Sequence, residues 1–140
     1  MKNNSENNQK VLKEVMDVFY PNNKIKREEC LDFMGYPFDN YNLPTLHHIT
    51  KASVLRKQGL SDAATFDNCA CLGDLSHQAL HYIENLDIEL YNDWNKLFTR
   101  INQSRKEFTT DFMDEILVLQ ERSMKVIDEH NSKKAQTTKR

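Results

Sequence analysis

Apolar residues recur along most of the chain at the three- and four-residue spacing of amphipathic helices, and one stretch near the middle departs from it. Leu12, Val15, Met16 and Phe19 form the first helical stripe, which Pro21-Asn22-Asn23 ends. Residues 1–8 are polar, Asn-rich and too poor in apolar groups to offset the entropy of ordering them, so they are expected to be a disordered tail. A second short helix is expected around Arg27 to Met34. Gly35 to Pro44 gathers two of the three prolines with several Asn and Asp residues and reads as a loop. Residues 9–44 thus form an N-terminal helical arm and linker.

From Thr45 the pattern shortens. Thr45 to Ile49 and Phe66 to Leu72 are brief apolar-containing runs bounded by polar or Gly residues, as in strands, with a loop between them. Asp74 is a suitable N-cap for a helix over Leu75 to Glu84. The order over residues 45–84 is therefore strand, loop, strand, helix. Beyond it, Leu86, Leu90, Trp94, Leu97 and Ile101 predict a long amphipathic helix. A last helix opens at Thr109-Thr110 and carries Met113, Ile116, Leu117, Met124 and Ile127 as one stripe. C-terminal helices thus occupy 85–130, and 131–140 is a basic tail expected to fray. The fold class is α+β.

Composition narrows the picture only a little. At 140 residues, 39% hydrophobic and 29% charged, the chain suits one globular domain. No apolar run approaches the roughly 20 residues that span a bilayer, and no apolar segment follows Met1, so no membrane association and a cytoplasmic location are expected. Cys30, Cys69 and Cys71 are an odd number without CxxC spacing, which argues for buried reduced thiols. A net charge of −2 gives no global pull on a polyanion, so contact with nucleic acid has to use local basic patches.

Four of the five histidines fall between residues 47 and 81. His77 and His81, four apart on a helix, present two imidazoles on one face, a spacing that chelates a transition metal. Such a pair taken alone is more often solvent-facing or satisfied in the core. His47 and His48 are neighbours on a strand and point to opposite faces, so one can bind metal while the other accepts a proton. Asn68 alone is an ordinary strand-end residue.

Together, Leu46-His47-His48-Ile49, Asn68 and His77-Gln78-Ala79-Leu80-His81 resemble the ββα-metal motif of the HNH endonuclease superfamily. The likeness is greatest to colicin-type DNases and small HNH proteins of phages and mobile elements. It covers Leu46 to His81, and the helical flanks match no family pattern. The resemblance implies a hairpin-plus-helix core flanked by several helices and one divalent ion, whether magnesium, manganese, zinc or nickel, held by His47, His77 and His81. It further implies His48 as general base and Asn68 fixing the loop and the base by hydrogen bonds across the hairpin. DNA cleavage leaving a 5′ phosphate follows.

Glu84 stands where it can accept a ring N–H of His81, or serve only as a solubilising charge. His130 is expected to complement a helix end. Lys51, Arg56 and Lys57 in the loop, with Lys96, Arg100, Arg105 and Lys106, form two acid-free basic stretches suited to the phosphates of duplex DNA without sequence specificity. A non-catalytic metal-binding nucleic-acid or assembly module is the alternative, as is a helical protein that binds a partner through its C-terminal helices.

Overall fold

The computed structural model describes residues 4–21, 30–59, 65–105 and 110–138. Helix α1 (Asn4–Phe19) buries Val11, Val15 and Phe19. It starts inside the segment expected to be a tail. Once those three residues hold the helix to the core, adding turns at its end costs little, and Glu6 in the first turn suits the helix dipole.

The helix expected over Arg27 to Met34 is absent from its described part, and its earlier residues lie outside the described ones. Leu31 instead pairs with Pro37 as an isolated antiparallel bridge. The Asp32 carboxylate explains this, accepting from the backbone N–H of Met34 (3.0 Å), Tyr36 (3.1 Å) and Gly73 (3.0 Å). A side chain that satisfies nearby N–H groups offers the backbone a turn in place of a helix.

Strands β1 (Pro44–His48) and β2 (Cys69–Gly73) pair antiparallel with Leu46 opposite Cys71 and His47 opposite Ala70. The connection holds a short helix α2 (Ala52–Lys57), where a plain loop was expected, and a 3-10 turn at Phe66–Asn68. The second strand thus begins three residues later than its apolar run. Asn102 draws the carbonyls of Phe66 (2.7 Å) and Cys69 (2.8 Å) onto its amide and so holds the turn. Cys69 and Cys71 are fully buried free thiols.

Helix α3 (Asp74–Leu86) follows β2 without a linker. The expected cap, Asp74, is its first residue; Gly73 holds the cap position, and the capping oxygen comes from Asn42, which accepts from Leu75 N (3.0 Å) and Ser76 N (3.2 Å). Asp87 separates α3 from α4 (Ile88–Ser104) and caps it through Leu90 N (3.1 Å), so Leu86 belongs to α3. Helix α5 (Met113–Thr138) follows a 3-10 turn and packs on α3 and α4.

The buried stripe of α5 is Ile116, Leu119 and Ser123, whereas Leu117 and Met124 stay 52% and 61% exposed. The face is set by a polar need: the indole N–H of Trp94 donates to Ser123 Oγ (2.9 Å), which donates to Leu119 O (2.7 Å). The expected frayed tail is helical through Thr138, so His130 sits within the helix, edge-on to Tyr82 at 5.9 Å. The architecture is α+β and mostly helical, and among the described residues no helix is long and apolar enough to cross a membrane.

Candidate metal centre

Strand alternation decides which of the two adjacent histidines turns inward. His47 is 1% exposed and meets α3 and α4, with ring centroids 5.2 Å from His77 and 5.8 Å from His81. His77 and His81 stand 4.9 Å apart on one face of α3. One ligating nitrogen from each of the three lies within 4.8 Å of the others. His81 keeps the cluster open to solvent, its side chain being 48% exposed.

The hydrogen bonds on the other ring nitrogens assign the protons. His47 Nε2 lies 2.8 Å from Asn95 Oδ1, an acceptor, so the proton is on Nε2 and Nδ1 is bare. Thr45 Oγ1 spends its own proton on Leu72 O (2.8 Å) and can only accept from His77 Nδ1 at 3.1 Å. His77 Nε2 is therefore bare. His81 Nδ1 faces the Glu84 carboxylate at 3.1 Å, which places a proton on Nδ1 and leaves Nε2 as the nitrogen able to ligate. The two bare nitrogens His47 Nδ1 and His77 Nε2 face each other at 3.4 Å with no proton to share. Lone pairs gathered in this way repel unless a cation lies among them.

Burial, the main cause, pushes the His47 pKa down to about 3; the Asn95 contact pulls the other way, and the neighbouring histidines add to the fall. Burial likewise lowers His77 to about 4, with His81 and His48 contributing. Both are neutral at cellular pH, the form that ligates. Partial burial raises the Glu84 pKa, but the Lys51 ammonium and His81 outweigh it and hold the carboxyl below its usual range. Lys51, expected to meet DNA, is thus engaged by Glu84.

Asn68 accepts from Thr50 N (2.8 Å) and donates to Thr50 O (2.9 Å), while its carbonyl accepts from Ile49 N (2.8 Å). It ties the residues just past His47-His48 to the start of β2. His48 pairs opposite Cys69, is half-buried and has its Nε2 covered from solvent.

Of the expected basic contacts, Lys57 and Lys96 are exposed, Arg100 binds Glu115 (2.6 Å), and Arg105 pairs with Asp67 over the Phe66 ring. The Arg56 side chain and Lys106 lie outside the described residues.

The sequence pattern missed the contribution of α4. Tyr91, Asn95, Phe98 and Asn102, spaced four, three and four, form a face that backs the hairpin. Phe98 and Tyr91 pack edge-on to His47 at 5.7 and 6.3 Å. The signal is two asparagines seven residues apart in step with two aromatics, on a helix whose Leu90, Trp94, Leu97 and Ile101 make a stronger apolar stripe. Compared with protein-family models, curated proteins and solved structures, the chain matches none.

Proposed function

We propose that the protein is a metal-dependent endonuclease of the HNH type that hydrolyses double-stranded DNA, with one divalent ion held by His47, His77 and His81. The supporting observation is the convergence of one ring nitrogen from each of three histidines, whose other ring nitrogens meet Asn95, Thr45 and Glu84. Three neutral nitrogen donors fit a divalent transition metal such as zinc, nickel or manganese better than magnesium, which prefers oxygen. Such an ion, when bound, supplies charge stabilisation at a phosphoryl oxygen and at the departing oxygen.

The chain's own groups account for the remaining roles. His48 is the proton acceptor, and because its Nε2 is covered in the free protein, that nitrogen has to be uncovered before a water can reach it. Asn68 fixes the turn that follows His48. Exposed Lys57 and Lys96 meet backbone phosphates, which gives salt-dependent binding without sequence preference.

Supercoiled plasmid incubated with zinc, nickel, manganese or magnesium, and with a chelator, tests this. Nicking is expected only with metal. His47→Ala should lose metal and activity together, whereas His48→Ala should keep metal and duplex affinity and lose on the order of 10² to 10⁴ in rate. Metal-loaded protein that binds duplex yet never nicks leaves the second reading, a non-catalytic metal-binding nucleic-acid module, which the covered His48 Nε2 favours.

A further inference from the structure

Tyr91 carries a hydroxyl that packing does not explain. The residue is 5% exposed, and its hydroxyl oxygen is covered from solvent with no hydrogen-bond partner. A buried donor in that state costs folding free energy, and native proteins keep few of them. Phe98, on the same face of α4, packs against His47 without a hydroxyl, so ring packing alone would be served equally well by phenylalanine at position 91.

The neighbouring polar groups are committed elsewhere. Asn95 Oδ1 already accepts from His47, and the Asn95 amide N–H can only donate toward the Tyr91 oxygen, an influence that lowers the phenol pKa but gives the hydroxyl proton no acceptor. The two oxygens of Glu84, whose charge reaches this hydroxyl, are taken by His81 and Lys51. The Tyr91 ring centroid is 6.3 Å from those of both His47 and His81, and Lys51 Nζ is 5.9 Å from it. The ring that carries the orphaned donor thus borders the three-histidine cluster and a cation.

We propose that the Tyr91 hydroxyl donates a hydrogen bond to a phosphoryl oxygen of a phosphodiester held at the three-histidine centre, so that substrate supplies the partner the free protein lacks. Burial holds this phenol above its ordinary pKa, which keeps it a donor at cellular pH. The proposal rests on the nuclease reading for the identity of the substrate, and requires of the site only that it takes phosphate.

Tyr91→Phe removes the oxygen and keeps the ring. In the zinc-loaded protein, calorimetric titration with inorganic phosphate should show affinity about tenfold weaker or more than in the parent, the usual loss of a hydrogen bond to a charged acceptor. Zinc affinity should stay the same, and the melting temperature of the metal-free variant should equal or exceed the parent's because an unpaired buried group has gone. Plasmid nicking should fall about 10²-fold, as for loss of one donor to a developing oxyanion. Equal phosphate affinity in the two proteins overturns the proposal, as does a parent that takes up no zinc or no phosphate, or a metal-free variant that melts lower. If the parent binds zinc and phosphate but never nicks, the nuclease reading falls while the phosphate titration still decides Tyr91.

Discussion

His47, the buried residue of β1, has one nitrogen on Asn95 and the other facing His77, so Asn95 fixes which nitrogen is presented to a metal. Asn95→Leu leaves the His47 Nε2 proton without its acceptor and lets the ring turn over. We expect metal affinity to fall about 10- to 100-fold in a competition titration, as for loss of a ligand's outer hydrogen bond. The same burial makes stability depend on pH. The folded pKa values, about 3 for His47 and about 4 for His77, lie below the 6.5 of an unperturbed imidazole. As pH falls from about 6.5 the unfolded chain takes up protons that the native state refuses. Stability is therefore full above that pH and declines through the window, and the loss stops once both states are protonated. Urea midpoints of metal-free protein at several pH values should trace this fall, and His77→Gln should flatten it. His47, His77 and His81 were legible in the sequence from a strand's alternation and a helix's four-residue repeat, and Asn68 only through the likeness to the ββα-metal pattern, because its partner Thr50 lies across the hairpin. Asn95 and Tyr91 were not, since their partners lie across the fold and nothing in the spacing of α4 says which second face meets a histidine.

Helix α3, which carries two of the three histidines, is oriented at its start by a residue from another segment. Asn42 caps it and also donates to Pro37 O (3.0 Å) and Asp32 Oδ2 (3.4 Å). The space for Asn42 exists because position 73 is glycine; a Cβ there would run into the Asn42 side chain. The Gly73 φ of −64° suits any residue, so the requirement is one of room rather than backbone conformation. Gly73→Ala should displace Asn42, uncap α3 and cost ~2–4 kcal/mol, combining overpacking with a lost cap, as measured by urea unfolding. Metal affinity should weaken alongside. Helix periodicity announced α1, α3, α4 and α5, but it misjudged their edges and the buried face of α5. The face was chosen by the Trp94–Ser123 hydrogen bond, which leaves no trace in an apolar pattern. The segment at 31–34 failed for a similar reason, since the Asp32 carboxylate rather than propensity decides its path.

Across the whole molecule, the histidine cluster joins a strand to a helix, so any ion it holds is linked to folding. Metal at about 100 times its dissociation constant should stabilise the protein by ~2.7 kcal/mol, and a chelator should abolish the gain. Thermal melts with and without chelator check this, and a His77→Ala, His81→Ala double variant should melt alike in both. The loop joining the strands is held from α4 as well, because Asn102 grips Phe66 and Cys69 seven residues beyond the Asn95 that grips His47. One rigid rod thus fastens the hairpin at two points, from outside the strand–strand–helix unit that carries every histidine of the cluster. That unit is consequently no portable cassette. Excised at Asp87 and grafted elsewhere, it would keep its ligands yet lose the brace that spaces them, so a minimal version of this centre has to run on through Asn102.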